Sequence, residues 1–203
     1  MTKLDKIERL TQQAGAKSAK RTRKKEELAD HAISALKQLG YARTSLRDIA
    51  ALSGVAVGTL HYYFEDKVDL IGFCVRRYKA GFVAQMDTIV QTSDGPEKLA
   101  ELFIKGLALS IRRDAETHRL WYDVRSQAMF DPAFEEVVAE IEDAMIALVV
   151  RLLDRLAQPT DQALSVYLML DASFRFYLQR FLAGDKDAPS EFESQVSAQF
   201  GSR

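Results

Sequence analysis

Thr44-Ser-Leu-Arg-Asp-Ile-Ala-Ala-Leu-Ser-Gly-Val-Ala-Val-Gly-Thr-Leu-His-Tyr-Tyr-Phe-Glu-Asp-Lys67 decides how this chain is read. Two short helices can be written onto it. The first is predicted from Leu46 to Ser53, with Ser45 or Thr44 capping its exposed N–H groups. Leu46, Ile49, Ala50 and Leu52 give it an apolar face. Gly54 supplies the left-handed backbone that ends a helix at little cost. Val55 is the apolar side chain that pins the turn to a core. The second helix is predicted from Val57 to Phe64, with Leu60 and Phe64 on one face at i, i+4. Val57, Gly58, Thr59, His61, Tyr62 and Tyr63 are left on or near the other faces. Helices this short are not stable alone. Two of them crossing over a glycine turn form the pattern of a helix-turn-helix, whose second helix enters the DNA major groove.

Ahead of this stretch, Leu4, Ile7, Leu10 and Ala14 repeat at helical spacing, so a short extra helix ending at Gly15 is expected. The composition then turns basic through Lys17, Lys20, Arg21, Arg23, Lys24 and Lys25. Such a run is either a solvated face or an arm that tracks phosphates. Arg23 to Leu39 reads as an amphipathic helix with a stripe of Leu28, Ala32, Ile33, Leu36 and Leu39, stopped by Gly40. His31 on that helix reads as structural or solvated. Tyr41 to Ser45 is a tight connection, and a three-helix unit ends near Phe64.

Behind it, Asp66 caps a long helix with Asp69 at N3. Leu70, Phe73, Cys74, Tyr78, Phe82 and Met86 carry its stripe past Ile89. At about 1.5 Å per residue it spans more than about 30 Å, a rigid connector from head to body. Ser93-Asp94-Gly95-Pro96 is a loop. Leu99 to Ile111 is helical and ends at Arg112-Arg113-Asp114. Thr117 to Ala128 is a separate segment, broken by Met129-Phe130-Asp131-Pro132. Further helices run from Phe134 to Leu156 and from Asp161 to Ala183, followed by a weaker pattern through Phe192, Val196 and Phe200. No strand alternation persists. The expected fold is all-α, with nine or ten helices and no internal repeat. Residues 1–20 form an extension, 21–65 the helix-turn-helix unit and 66–203 a larger helical body.

Charge separates these parts. Up to Phe64 there are 12 Lys+Arg and 6 Asp+Glu, net +6; from Glu65 onward there are 16 and 23, net -7. A basic head on an acidic body fits a polyanion contact made by the head. One cysteine, Cys74, excludes an intrachain disulfide and reads as a core thiol. No apolar run reaches bilayer length, and the first residues lack the apolar core of a signal peptide, so a cytoplasmic protein is expected. Glycine-rich phosphate loops, His-Glu-x-x-His, cysteine pairs and Gly-x-Ser-x-Gly are all missing from the sequence. No enzyme, cofactor or metal is therefore expected. Asp171 and Arg175 read as a helical ion pair, and Glu135, Glu136, Glu142 and Asp143 as solvated faces.

Tyr41-Ala-Arg-Thr-Ser-Leu-Arg-Asp-Ile-Ala50, Ser53-Gly-Val-Ala-Val-Gly-Thr-Leu60 and Tyr63-Phe-Glu-Asp-Lys-Val-Asp-Leu70 resemble the TetR family of bacterial transcription regulators. The resemblance covers roughly residues 22 to 71. Leu120-Trp121 with Ser126-Gln-Ala-Met-Phe-Asp-Pro132 resembles the subgroup that includes the choline-responsive repressor of betaine synthesis. The family resemblance implies that Arg47 reaches a base or phosphate and that Ser45 contacts a phosphate; Lys24 of the basic run is a further DNA-binding candidate. It places Val57, Gly58 and Thr59 against base edges, Tyr62 and Tyr63 on phosphates and Lys67 on the backbone at the next helix start. Tyr62 and Tyr63 have core packing beside Phe64 as their alternative. The family more often has Tyr where His61 stands, which leaves one phosphate contact in question. Few of these side chains read bases by hydrogen bonding, so Arg47, Thr59 and DNA shape are expected to matter.

For the body the resemblance implies a ligand-binding and dimerisation domain. Its candidate lining is Phe73, Tyr78, Phe82, Phe103, Leu107, His118, Trp121, Tyr122, Arg125, Met145 and Phe174, each also readable as core. Trp121 and Tyr122 suit a quaternary ammonium by cation–π attraction, while an aromatic, acyl or steroid-like ligand fits the composition equally. The helices Leu164–Leu182 and Phe192–Phe200 resemble the family's dimer bundle. A two-fold dimer implies a near-palindromic operator. The expected function is a DNA-binding regulator, a repressor released by a small hydrophobic or cationic effector. The alternative is a helical ligand-binding or adaptor protein that keeps the fold without specific DNA binding.

Overall fold

Gly15 does not end a helix. The computed structural model, which describes residues 3–40 and 44–201 and the side chains of 15–38 and 44–199, carries α1 unbroken from Lys3 to Leu39. A mid-helix glycine costs about 1 kcal/mol relative to alanine, but Ala14 and Ala16 flank it and no proline intervenes, so propagation continues. The basic residues Lys17 to Lys24 therefore sit on exposed helix, not on an extended arm. The expected stripe Leu4, Ile7, Leu10 and Ala14, the connection through Tyr41, Ala42 and Arg43, and the Phe200 side chain lie outside the described residues. Gly40 does stop α1: its φ is 71°, its N–H bonds Leu36 O at 2.9 Å, and the buried Thr44 hydroxyl donates to its carbonyl.

The other helices are α2 (Leu46–Ser53), α3 (Val57–Tyr63), α4 (Lys67–Thr92), α5 (Pro96–Gln127), α6 (Glu135–Arg155), α7 (Ala163–Leu182) and α8 (Ala188–Gly201). Short 3₁₀ turns at Pro132–Phe134 and Thr160–Gln162 precede α6 and α7. No strand occurs among the described residues. The fold is all-α, with eight α-helices among the described residues where nine or ten were expected, because two predicted breaks are absent. One is at Gly15. The other is at Asp114, where the backbone leaves the helical region (φ -121°, ψ 19°) yet α5 resumes beyond it. Arg113 Nη2 pairs with the Asp114 carboxylate at 2.8 Å at that bend.

The chain forms two compact units, Met1–Cys74 and Val75–Arg203. In the first, α1 buries Leu28, Ala29, Ala32, Ala35 and Leu36 with Ile49 and Ala50 of α2, Leu60 of α3, Phe64, and Leu70, Ile71 and Cys74 of α4. The Cys74 thiol donates to Ala29 O at 3.5 Å, so it is the core thiol the sequence suggested. Leu52 departs from expectation: it is 52% exposed. Asp66 caps α4 as predicted, accepting from Asp69 N at 2.9 Å, while the Asp69 carboxylate accepts from Glu65 N.

In the second unit α7 lies against α5, α6 and α8. Close approach of α5 to α4 depends on Gly106: a Cβ there would fall 2.8 Å from Ile89 Cδ1. Arg151 to Asp87 (2.6 Å) and Arg76 to Glu140 (2.6 Å) tie α6 to α4 at the surface. Arg180 joins α7 to α8 through Asp185 and Glu191. The apolar pattern of α8 is consumed internally, with Ala188, Phe192 and Val196 fully buried.

Candidate nucleic-acid interface and ligand cavity

The helix-turn-helix is fixed by its caps. Ser45 adopts an extended backbone (φ -104°, ψ 164°), and its Oγ accepts from Asp48 N at 3.2 Å. The Asp48 carboxylate accepts in return from Ser45 N at 2.9 Å, completing a capping box. These hydrogen bonds hold the Asp48 carboxyl below the usual carboxylate range. Ser45 Oγ also donates to Asp48, so both donors of Ser45 are committed within the chain. At the other end Gly54 sits at φ 64°, ψ 23°, and its N–H bonds Ala50 O, as does Val55 N. That left-handed residue turns the chain straight into α3.

On α3, Leu60 faces inward and fixes the rotation of the helix. Val57, Gly58, His61 and Tyr62 are exposed, and Thr59 and Tyr63 are half-buried. Tyr62 is 70% exposed, a large amount for an aromatic ring without a partner in a core. Its ring meets Tyr63 edge-on at 5.0 Å, and the Arg21 guanidinium lies 5.9 Å from its centroid. The basic surface thus reaches this face from α1. Arg47 is exposed on α2. Lys24 is exposed and pairs with Glu27 at 2.8 Å. Lys25 has an internal role: its Nζ lies 4.7 Å from the Phe64 ring, 4.8 Å from Phe73 and 3.5 Å from Asp69.

The second unit holds a cavity of about 60 Å³. Lys79 and Phe82 of α4 line it, with Phe103, Leu107, His118 and Tyr122 of α5. Met145, Leu148 and Val149 of α6 and Tyr167, Leu170, Asp171 and Phe174 of α7 complete the wall. Its polar groups fall into three sets. His118 is buried, with Nδ1 2.8 Å from the Tyr78 hydroxyl and ring contacts to Phe82 and Phe174. Burial, then the charges of Lys79 and Arg113, lower its pKa to about 2, so the imidazole is neutral. Asp171 accepts from the Tyr122 hydroxyl at 2.9 Å and from Arg125 Nη1 at 2.6 Å, and Arg125 Nε reaches Glu142 at 2.6 Å. Lys79 is 4% exposed, and burial brings its pKa down to about 7. A larger hollow of about 500 Å³ runs past Glu97, Glu101, Leu153 and Gln162, but none of the buried unpartnered polar atoms lines it.

Residues 26–72 match the family described as bacterial regulatory proteins, tetR family. The helix-turn-helix unit is a TetR-family domain. A curated relative, the fatty acid metabolism regulator protein of Bacillus subtilis, is 29% identical over 84 residues, which are 41% of this chain and 43% of that protein. The match thus spans less than half of the relative's length. Solved TetR-type structures extend the likeness in fold to the body. A TetR transcription regulator from Haloarcula marismortui superposes with a TM-score of 0.73 at 20% identity, covering 87% of this chain and 96% of that one. FadR from Bacillus subtilis, solved with stearoyl-CoA, gives 0.68 at 17% identity over 83% and 94%. The multidrug binding protein EbrR, complexed with imidazole, gives 0.61 at 25% identity over 83% and 92%.

Within this TetR-type architecture, seven of the expected cavity residues are brought together: Phe82, Phe103, Leu107, His118, Tyr122, Met145 and Phe174. Four are not. Phe73 belongs to the head, edge-on to Phe64 at 5.7 Å. Tyr78, Trp121 and Arg125 lie one layer out, contacting His118, Lys79 and Asp171 respectively. The cation slot proposed at Trp121 is already filled: Lys79 Nζ stands 4.9 Å from the Trp121 ring centroid. Asp171 pairs with Arg125, not Arg175, and Glu142 is an ion-pair partner, not a free solvated face. Sequence reasoning missed Lys79, Tyr167 and Asp171. A lysine inside an apolar stripe, between Tyr78 and Phe82, was the available signal for the first.

Proposed function

We propose that the protein is a homodimeric, ligand-responsive transcriptional regulator that binds a near-palindromic DNA site through two TetR-type heads and is released by a small effector held in the cavity of the body. The observation that carries this reading is the exposed face of α3. Leu60 alone is buried there, so Val57, Gly58, Thr59, His61, Tyr62 and Tyr63 are left at least partly exposed on a helix set in place by the capped α2 and the Gly54 turn before it. Basic residues of α1 flank that face, as a polyanion contact requires. In this reading Thr59 and Val57 meet base edges, while Tyr62, Tyr63, Arg47 and Lys67 meet the phosphate backbone. Ser45 serves chiefly to hold the capping box, since Asp48 already takes its donors.

Dimerisation is supported by α7. Leu164, Leu168 and Phe176 are each half or more exposed, and Ala172 is exposed with them. An apolar stripe of this kind is covered in a stable protein. α8 contributes its polar outer face, because Phe192 and Val196 are turned inward. Ligand occupancy shifts the spacing of the two heads through α4, the continuous helix that leaves the head at Cys74 and enters the body at Val75.

A gel shift with the DNA flanking its own gene tests the reading. Specific binding at moderate salt is expected, weakened by roughly fivefold to tenfold in Tyr62→Phe and more in Thr59→Ala if that residue touches a base. Sequence-independent binding, or indifference to both substitutions, overturns it in favour of a fold-only ligand-binding protein.

A further inference from the structure

Lys79 is unusual in being buried without an ion pair of its own. Its only hydrogen bond among the described residues is to Met145 Sδ, at 3.6 Å. A lysine ammonium carries three donors and is almost never fully buried unless paired. Three rings partly replace the lost water: Nζ lies 4.9 Å from the Trp121 centroid, 5.1 Å from Phe82 and 6.0 Å from Tyr78. The nearby carboxylate Asp171 is engaged elsewhere, bonded to Arg125 and Tyr122. A second donor on the same wall is also unused. Tyr167 OH is buried without a hydrogen-bond partner, although the residue is only 5% exposed. A buried ammonium whose one hydrogen bond goes to a thioether, and a buried hydroxyl with no partner, therefore line one largely apolar cavity. Donors left unsatisfied or weakly satisfied in a buried site are costly, so a site with spare N–H groups on Lys79 and a free hydroxyl on Tyr167 suits something that accepts from both.

We infer that the cavity takes an apolar molecule ending in a carboxylate, whose oxygens pair with Lys79 Nζ and accept from the Tyr167 hydroxyl. The tail lies against Phe103, Leu107, Leu148 and Phe174. This deepens the reading of the body as an effector-binding domain and rests on it. It also excludes the cationic effector that the aromatic residues of α5 suggested. A quaternary ammonium in this cavity would meet the ammonium of Lys79, which already occupies the ring faces. A carboxylate instead gains a charge-assisted bond to a buried ammonium.

The test uses the full-length protein and calorimetric titration with hexanoate, octanoate and decanoate, with methyl octanoate and octyltrimethylammonium as matched neutral and cationic probes. At least one carboxylate should bind, about tenfold or more tighter than the ester and the ammonium. Lys79→Met should weaken that binding by about 30-fold or more, and Tyr167→Phe by about tenfold, with both variants confirmed folded by circular dichroism. The Tyr167→Phe variant keeps the test decisive if Lys79→Met fails to fold. Failure of every carboxylate to bind, equal binding of the ammonium probe, or a Lys79→Met protein that binds carboxylate as wild type does would overturn the inference. DNA release is followed in the same samples. Release by the ammonium or ester probe sinks the carboxylate inference and leaves the regulator standing. Loss of specific DNA binding in the ligand-free protein sinks the regulator, whatever the carboxylates do.

Discussion

The head and the body place their charges in opposite ways. In the head every ionic residue of the candidate interface is at or near the surface, and what is buried is aliphatic, aromatic, a thiol or the bonded hydroxyl of Thr44. Its ordering devices are local: a capping box three residues wide at Ser45 and Asp48, a left-handed glycine at Gly54 and a capping carboxylate at Asp66. The body does the reverse. It buries Lys79 and His118 and threads Arg125 between Asp171 and Glu142 across three helices. Burying polar groups costs stability and gains chemical discrimination, because a site with committed and uncommitted donors accepts some ligands and rejects others. A surface that reads a polyanion needs no such burial. The head is built to be stiff and open, the body to be selective.

Four substitutions sharpen or break this contrast, starting with the largest effect. Lys79→Met should stabilise the ligand-free protein by roughly 2–4 kcal/mol at pH 6, since it replaces a buried cation with an apolar chain of similar length. The sign follows from linkage. Folded Lys79 titrates at about 7 and an unfolded lysine at about 10.4, so the unfolded chain binds more protons between those values. Wild-type stability attributable to Lys79 is therefore lowest below pH 7 and recovers as pH rises toward about 10, where the difference from Lys79→Met should vanish. The groups facing Lys79 are His118, Tyr78, Asp171 and Arg125, which are common to both proteins, so the difference isolates the lysine. Urea denaturation at pH 6, 8 and 10 measures it. A constant difference across that range would show that Lys79 is not buried as described.

Asp171→Ala should cost about 2–3 kcal/mol, because Arg125 loses one of two carboxylates and the Tyr122 hydroxyl loses its acceptor. Hydrogen exchange should show the loss in the body with the amides of α2 and α3 still protected. Gly54→Ala should destabilise the head by about 1–2 kcal/mol through its left-handed φ of 64°, even though open space surrounds the new methyl. DNA affinity should fall with it while ligand binding is unchanged. Ser45→Ala removes the capping box for about 1 kcal/mol or less, read as faster exchange at the start of α2. Equal loss of protection in both units for any of the last three would break the contrast, since it would make head and body one cooperative block.

The sequence by itself determined the head and the class of fold. Caps, a glycine turn and period-3.6 stripes are contacts between residues a few positions apart, so their partners are already neighbours on paper. That is why Ser45, Gly54, Leu60 and Asp66 take the roles their spacing implied. Helix continuity was less legible, because a glycine or an Arg-Arg-Asp run only weakens a helix, and whether it breaks depends on what the next turns pack against. Only the tertiary structure decided the cavity. Asp171 was assigned to Arg175 on its own helix and belongs to Arg125, 46 residues away. Trp121 looked like the cradle for a foreign cation and holds the chain's own lysine, 42 residues earlier in sequence. Pairings of that range are set by how α4, α5, α6 and α7 close on one another. A buried charge becomes informative only when its missing partner can be seen.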